Sequence, residues 1–547
     1  MTECEEKLWL ENIQLRQQAH YYQNLHERAL AKQQEQAAQI EVLKAKIAEL
    51  QKRLFGRKAE RKFSSEAWAA KRRLHRCRGQ QRGARGHGRR RRANLPVEDV
   101  VVEAPLAQRL CPRCGLPFVP VGTQAAHEEI EWEVRLVRKR YRCQRYARAC
   151  TCEGVPARTV AAAPVRLIPK GLLSVGTLVE MLRWKYKYHL PLQRIVGLAQ
   201  DYGLTLSPGT VCGLWQRLGP LFAPLYLAII EATREMGQWL MDETRWEVFG
   251  SVEGKASQRW WVWVVVSAIS RVYLLRPSRG AKVPKEFFGW AAETQTCQWP
   301  GHLMVDRFVS YKFLAVALLL AFCWAHVRRD FLMFRPGADA AGQAWADEWI
   351  ERIGELYRLN EARIELARDV KAPALPAPFV RLDAARMQTP EYAQSQQALV
   401  QQVATLAQVR DAQLAQAALP SPRRKILESL REHWDGLTLF VEHPEIPLDN
   451  NGAERAGRPA AVGRKNYYGS GSVWSGELMA MLMTLFQTLA LHGVEDRGYL
   501  TAYLEACAQN QGQPPSDLTP WLPWNFKKAT VVPAPAPAPP TATARAP

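Results

Sequence analysis

The first pattern along the chain is a short repeat of apolar residues near the N-terminus. Spacings of three and four residues alternate between Ile40, Leu43, Ile47, Leu50 and Leu54, which is the seam of a heptad repeat. We therefore predict a coiled-coil helix within residues 1–62 and self-association into a homo-oligomer. The alternative is a single amphipathic helix that packs against the rest of its own chain.

Helical periodicity returns over residues 165–232, where a glycine turn separates two segments. Ser207 followed by Pro208 favours a helix start, because serine caps free amides and proline is tolerated at the first helical position. The pattern matches a helix-turn-helix, whose second helix, predicted over residues 210–218, would bring Thr210 to a DNA major groove. A helical hairpin that binds no DNA would give the same pattern.

Between residues 233 and 336 the apolar pattern is that of strands. Two of the β-rich runs end in an aspartate, Asp242 and Asp306. The order of elements predicts three antiparallel strands, a helix and two further strands in a mixed α/β layer. The predicted strands cover 237–242, 259–268, 271–275, 302–306 and 314–324, and the helix lies near 284–292.

Residues 337–440 carry helical periodicity and almost no strand signal, so we predict a helical insertion within the mixed α/β domain. Residues 441–495 would complete that domain after the insertion. A C-terminal helical segment is expected over 496–530. The Pro/Ala-rich residues 531–547 predict a disordered tail.

The stretch from residue 448 to residue 470 concentrates polar chemistry after the insertion. Asn450 and Asn451 favour the start of a helix, which Gly457 and Pro459 would keep short. Glu454 would then lie in the first turn. It could serve a capping box with Asn451, or it could bind a metal ion while nearby cations bind phosphate. Those cations are Arg458, Arg464 and Lys465.

The net charge of +21 and the sequence pI near 9.6 predict a polyanionic partner, most simply DNA. Eleven Lys or Arg residues and no acid occur between residues 71 and 92. We predict a flexible basic arm over 63–98 that neutralises phosphates; a solvated linker is the alternative. The cations of its last part are Arg89, Arg90, Arg91 and Arg92.

No signal peptide or membrane partner is expected, because the first residues are charged where an apolar core is needed. Together with the predicted DNA partner, this favours the cytoplasm and association with DNA there.

A cysteine cluster lies within residues 99–164. The knuckle Cys111-Pro-Arg-Cys114-Gly is typical of half a zinc site, and Cys143 with Cys150 or Cys152 could complete four thiolates. We predict a zinc-ribbon-like DNA-binding module with a structural Zn²⁺. A ribbon that has lost its metal is the alternative, since Tyr146 stands where a second C-x-x-C pair would have a cysteine.

Taken together, these motifs resemble the transposases of the insertion-sequence-66 family. The resemblance rests on residues 241–244, on Val305-Asp306 with Tyr311, on 323–331, and above all on 449–468; residues 54–60 and 168–171 also match. Three departures are Arg307, where the family usually has glycine, the glycines at 452 and 457, and Tyr146.

The resemblance implies a multidomain α/β protein whose RNase H-like catalytic domain is interrupted by a helical insertion. It implies that Asp242, Asp306 and Glu454 are the catalytic acids and hold Mg²⁺ or Mn²⁺. It also implies binding to the ends of an insertion sequence, cleavage by activated water, and joining of the 3′ ends to target DNA, with possible accessory proteins from the same element. A non-catalytic DNA-binding protein, such as a repressor, and a nuclease that cuts without joining are the alternatives.

Overall fold

The computed structural model describes residues 136–147, 158–250 and 257–526, together with a few isolated earlier positions. The chain divides into two compact units, Met1–Glu129 and Ile130–Pro547. In the first, His26, Leu30, Gln33 and Gln36 are helical, but the seam over residues 40–54 and the basic arm lie outside the described residues. The account below concerns the second unit.

The second unit begins with a short antiparallel hairpin and three helices. Strand β1 (Arg145–Ala147) pairs with β2 (Arg158–Val160). Helix α1 (Val175–Leu182) continues into a π-helical turn (Arg183–Lys187), and α2 (Leu192–Asp201) follows. Helix α3 (Pro208–Arg234) begins as predicted, because the Ser207 side chain accepts a hydrogen bond from the Thr210 amide at 3.0 Å.

The predicted end of this second helix, at residue 218, is wrong. Helix α3 has 27 residues and contains Pro220 and Pro224. Its buried face continues past both prolines, and this packing outweighs their cost in helix propensity. The buried residues are Val211, Trp215, Leu218, Leu221, Phe222, Leu225, Ile229, Ile230 and Thr233.

A five-stranded mixed sheet forms the centre of the unit, as the alternation of runs predicted. Strands β3 (Gln238–Glu247), β4 (Arg259–Val266) and β5 (Arg271–Arg276) pair antiparallel. Helix α4 (Lys282–Phe288) and the small hairpin β6 (Trp290–Ala291) and β7 (Thr296–Cys297) come next. Strands β8 (His302–Val305) and β9 (Leu319–Phe322) run parallel to β3, which gives the order β5-β4-β3-β8-β9.

Two predicted strand boundaries need correction. Asp242 does not end its strand, because β3 stays paired with β4 up to Glu247. The apolar run 314–324 is not one strand: it divides into the end of a 3₁₀ segment (Val309–Val316) and the short β9. Both errors arise because burial extends across elements and does not mark where backbone pairing stops.

Helices follow the last strand. Helix α5 (Trp324–Phe334) leads into α6 (Ala340–Ala367), α7 (Pro390–Leu414), α8 (Ser421–Glu432) and α9 (Trp434–Thr438), after which come α10 (Asn451–Tyr467), α11 (Val473–Leu491) and α12 (Asp496–Gln509). Helix α10 packs on β3, and α11 packs on β5 and α3. Thr484 and Thr488 of α11 accept hydrogen bonds from the Tyr273 and Arg271 amides, which satisfies donors on the edge strand β5. In the part of the chain that the structure describes, no helix is long and apolar enough to cross a membrane.

Helix α10 is longer than predicted, since it continues through Gly457 and Pro459. The predicted capping box is also absent from this helix start: Asn450 is the cap residue without a side-chain capping bond, and Asp449 accepts the Asn451 amide at 3.0 Å. Only small residues line the buried face of the helix, which lets it approach β3 closely. They are Gly452, Ala453, Ala456, Ala460 and Gly463.

Candidate active site

Asp242 and Asp306 lie at the same edge of the sheet. Parallel pairing between β3 and β8 covers Gln238–Leu240 and His302–Met304, so Asp242 follows shortly after its last pair and Asp306 directly follows β8. Asp242 Oδ1 accepts the Glu243 amide at 2.9 Å, and Asp306 Oδ1 accepts the Phe308 amide at 3.0 Å. Each carboxylate is thereby oriented by its own backbone at the carboxyl ends of the strands, where open α/β sheets bind ligands.

Asn450 fixes the position of the third acid. Its side chain is fully buried, its amide group donates to the Met241 carbonyl at 2.8 Å, and its backbone N–H donates to Cys323 Sγ at 3.2 Å. The start of α10 is therefore held between β3 and the end of β9. Glu454 lies in the first turn of that helix and faces the same edge of the sheet as the two aspartates.

The electrostatics place the three acids in one environment. Burial raises the pKa of Asp242 to about 7, and the negative charges of Glu243, Asp306 and Glu454 contribute to the same shift. Carboxylates held close to one another are favourable ligands for a divalent cation, because the cation removes their mutual repulsion. The residues present, all hard oxygen donors, therefore fit Mg²⁺ or Mn²⁺.

Two residues of α5 join this site, although no pattern in the sequence assigned them a role. His326 Nε2 lies 3.6 Å from Glu454 Oε1, and Arg329 Nη2 lies 3.3 Å from the same oxygen. Burial and the Arg329 charge lower the pKa of His326, which favours the neutral imidazole. Residues three positions apart lie on the same face of a helix, so the sequence could have predicted that the two side chains act together. That prediction requires knowing that a helix begins at Trp324.

A surface cleft of about 430 Å³ opens beside Asp306. Arg307 crosses its wall, donating to Asp330 Oδ2 at 2.5 Å and to Ser429 Oγ at 2.8 Å. The arginine thus ties the end of β8 to α5 and α8. The cleft is lined by Asp306, Arg307, Phe308, His326, Asp330 and Ser429.

A buried polar cluster lies next to Asp242 on β3. Glu243 is buried and accepts hydrogen bonds from Arg279 Nε at 2.7 Å and from the Tyr311 hydroxyl at 2.5 Å. Burial raises the pKa of Glu243, and these two donors oppose that shift. The cluster therefore braces the β3 backbone next to Asp242 through a carboxylate that has both its oxygens satisfied.

The predicted phosphate-binding cations are placed differently from one another. Arg458 and Lys465 are exposed on α10. Arg464 is partly buried, and its guanidinium donates to the Thr244 hydroxyl at 3.2 Å and to the Arg245 carbonyl, which attaches α10 to β3. Thr210 is exposed on α3, and its hydroxyl lies 2.8 Å from the Ser207 hydroxyl.

The remaining predicted site residues are only partly described. Cys114 and Cys143 are exposed free thiols, while Cys111, Cys150 and Cys152 lie outside the described residues. The same is true of the four arginines at 89–92.

Three acids from separate segments thus lie at one edge of a mixed sheet, in a strongly basic chain. The profile described as "Transposase IS66 family" matches residues 170–478, more than half of the chain. The protein belongs to this family of transposases.

Two similar proteins of one organism carry names that state no activity. The chain is 29% identical to the uncharacterized protein y4jD of Sinorhizobium fredii, over 82% of this chain and 84% of that protein. It is 28% identical to y4qI of the same organism, over 67% and 65%. A solved structure, the Drosophila P element transposase strand transfer complex, aligns with 57% of this chain and 92% of that chain at 6% identity and a TM-score of 0.32, a similarity too low to bear on the fold.

Proposed function

We propose that the chain is an active transposase of the three-acid (DDE) type, which binds the ends of an insertion sequence, cleaves there and joins the 3′ ends to target DNA. The observation that carries this proposal is the position of Asp242 and Asp306 at the carboxyl ends of neighbouring parallel strands, with Glu454 in the first turn of the helix that packs on β3. Family membership supports the reaction class, since the family is one of transposases.

Asp242, Asp306 and Glu454 would hold the divalent cations, Mg²⁺ or Mn²⁺. Bound there, such ions stabilise negative charge on the attacking and leaving oxygens of a phosphodiester in line. The side chains of the protein contribute the rest. Arg329 Nη2 lies 3.3 Å from Glu454 Oε1 on a half-exposed side chain, so it would orient the third carboxylate and could also contact a DNA phosphate.

His326 supplies a proton-exchanging group beside the acids. Its Nε2 lies 3.6 Å from Glu454 Oε1, and its lowered pKa leaves it neutral near pH 7. A neutral imidazole can accept the proton that an attacking water or 3′-hydroxyl releases. It is therefore our candidate for the general base.

A hydrolysis followed by a transesterification makes up the proposed reaction. Water adds to the phosphorus at the element end, the bond to the 3′ oxygen breaks, and a free 3′-hydroxyl remains. That hydroxyl then adds to a phosphorus of the target DNA and displaces the target's own 3′ oxygen. No side chain becomes a covalent intermediate. In the second step one phosphodiester bond forms as one breaks, so their number is conserved.

DNA would approach along α10. Residues 454, 458 and 465 are separated by four and eleven positions, so they lie within about 40° of each other around a helix with 100° per residue. Exposed Arg458 and Lys465 would thus extend from Glu454 as a row of phosphate-binding cations. The exposed start of α3, the basic arm and the predicted Zn²⁺ ribbon would add further DNA contacts, and the predicted coiled coil would hold two copies together.

The test separates catalysis from binding. We expect Asp242→Asn, Asp306→Asn and Glu454→Gln each to abolish cleavage of a labelled element end in Mg²⁺, while gel-shift affinity stays within about twofold. The metal ligands are removed, but the basic surface is not. Glu428→Gln, which changes an exposed acid on α8, serves as the matched control.

Three outcomes discriminate among the hypotheses. Wild-type cleavage by Glu454→Gln would remove the third acid from the proposal. If the wild-type protein binds two element ends but does not cleave them in either Mg²⁺ or Mn²⁺, a repressor would be favoured. Cleavage without joined products would favour a nuclease that cuts only.

A further inference from the structure

A second group of potential metal ligands lies at the opposite end of the sheet from the three acids. His302 begins β8, while Asp306 follows the end of that strand. With a rise of about 3.3 Å per residue, the two are separated by about 13 Å along the strand. His443 and Glu445 come from the segment between α9 and α10, and their ligand atoms and that of His302 all lie within 4.8 Å of one another.

The distances within this group match those between ligands of one ion. Glu445 Oε1 lies 3.5 Å from His302 Nε2 and 3.5 Å from His443 Nδ1. Neither separation is a good hydrogen bond, since N–H···O bonds in proteins measure about 2.7 to 3.2 Å. Around a tetrahedral zinc with bonds of about 2.0 to 2.2 Å, neighbouring ligand atoms are about 3.3 to 3.5 Å apart.

Hydrogen bonds hold the backbone segment that carries His443 and Glu445 next to β8. Gln238 Nε2, on the strand next to His302, donates to the Glu445 carbonyl at 2.7 Å. The Ile446 amide donates to the His443 carbonyl at 2.9 Å, which closes the turn that brings residues 443 and 445 to one side. All three side chains are partly exposed, so an ion and a water ligand can reach them.

We propose that His302, His443 and Glu445 form a binding site for Zn²⁺ or a similar transition-metal ion, with water in the fourth position. Two imidazoles and one carboxylate suit zinc and not Mg²⁺, which takes oxygen ligands in octahedral geometry. The ion would cross-link the start of β8 to the segment 442–450. Both elements lead directly to proposed catalytic acids: β8 to Asp306, and the segment to Glu454.

The experiment compares zinc stoichiometry among variants of the full-length protein. After removal of metal with a chelator, each protein is titrated with Zn²⁺ alone against a chromophoric competitor. We expect Glu445→Gln and the double variant His302→Ala with His443→Ala to bind one equivalent fewer than the wild-type protein. Glu442→Gln, an exposed acid on the same segment, should bind as the wild-type protein does.

Two readouts keep the result specific. The first readout is the absorption spectrum with Co²⁺ in place of Zn²⁺. The difference between the spectra of the wild-type protein and Glu445→Gln should contain no sulfur-to-metal charge-transfer band, because this site has no thiolate. A metal ion at the cysteine cluster would give such a band. Zinc should also raise the thermal unfolding midpoint of the wild-type protein more than that of Glu445→Gln, since an ion that binds the folded state stabilises it. Equal stoichiometry in all four proteins would overturn the proposal. If the double variant fails to fold, Glu445→Gln alone decides, because it preserves the size of the side chain.

Discussion

At the scale of single residues, Asp242 lies on a well-braced strand, but its negative charge destabilises the folded state. Its strand is braced by the satisfied Glu243 cluster, yet its own carboxylate has a pKa of about 7 because it is buried next to other acids. Its observed hydrogen bond comes from the Glu243 amide. An asparagine can accept the same bond without carrying charge, which makes the residue testable in the absence of DNA.

We predict that Asp242→Asn stabilises the metal-free protein at alkaline pH. The folded pKa is raised above the reference value of 3.8, so the folded state binds the proton more tightly and the wild-type protein loses stability as pH rises from about 4 to 7. One pKa unit corresponds to about 1.4 kcal/mol, so the rise from 3.8 to about 7 gives an expected gain on the order of 4 kcal/mol at pH 8. Denaturant unfolding in chelator at pH 5 and pH 8 measures it.

Glu428→Gln is again the control for that measurement, because it changes an exposed acid. The advantage of Asp242→Asn should be smaller at pH 5 than at pH 8, and added Mg²⁺ should stabilise the wild-type protein more than the variant. If the difference in the free energy of unfolding between Asp242→Asn and the wild-type protein is the same at both pH values, the Asp242 carboxylate does not titrate between pH 5 and pH 8.

The acids could be singled out from the sequence, but their neighbours could not. Asp242 and Asp306 follow apolar runs, and Glu454 follows two helix-starting asparagines, so each has a local signal. His326 has none: its contact with Glu454 joins α5 to α10, which are separated by the whole helical insertion. Such a long-range contact follows only from the sheet order and the packing of α10.

At the scale of elements, helix α10 shows where local rules fail. Gly457 and Pro459 are poor helix formers and predicted an early end, yet the helix reaches Tyr467. A Cβ on Gly452 would lie 3.0 Å from Leu240 Cδ2, and one on Gly463 would lie 2.4 Å from Tyr467 Oη. Gly452 lowers helix propensity but permits close packing on β3, and tertiary packing contributes more than propensity does.

The length of α10 allows a prediction about DNA binding. Replacing Arg458 and Lys465 together by glutamine should weaken binding to specific and random DNA alike, because both side chains would neutralise phosphates. The slope of log affinity against log salt should fall by about 0.9 for each phosphate that is no longer neutralised. Filter binding over a series of salt concentrations provides both quantities.

Arg455→Gln is the matched control for this pair, since it removes one exposed cation from the same helix about 100° away from Glu454. We expect it to leave the slope nearly unchanged. If it lowers the slope as much as Arg458→Gln does alone, then DNA does not follow the face of Glu454. Loss of specific binding only would instead mean that the helix contacts bases.

At the scale of the whole molecule, the sequence predicted the order of strands better than their lengths. The predicted succession of three antiparallel strands, a helix and two further strands in one mixed sheet is confirmed, because apolar runs, turns and one intervening helix constrain topology strongly. The residues that the structure describes bring together one set of the three acids, whereas the proposed joining of an element to its target requires two ends to be held together. Two copies, each with its own set, would meet this requirement, and the predicted N-terminal helix would hold them together.

The last prediction is that the seam of Ile40, Leu43, Ile47, Leu50 and Leu54 holds the copies together. The seam covers about two heptads, and helices this short are marginal alone, so an acid placed within it should separate the chains. Asp at both Leu43 and Leu50 would bury charge without a partner. Light scattering should then give the mass of one 62.0 kDa chain for this variant and a multiple of it for the wild-type protein. Ala45→Asp with Lys52→Asp, at positions that face away from the seam, should keep the wild-type mass. The seam variant should still bind one element end but fail to pair two; equal masses for all three proteins would mean that residues 40–54 pack on their own chain.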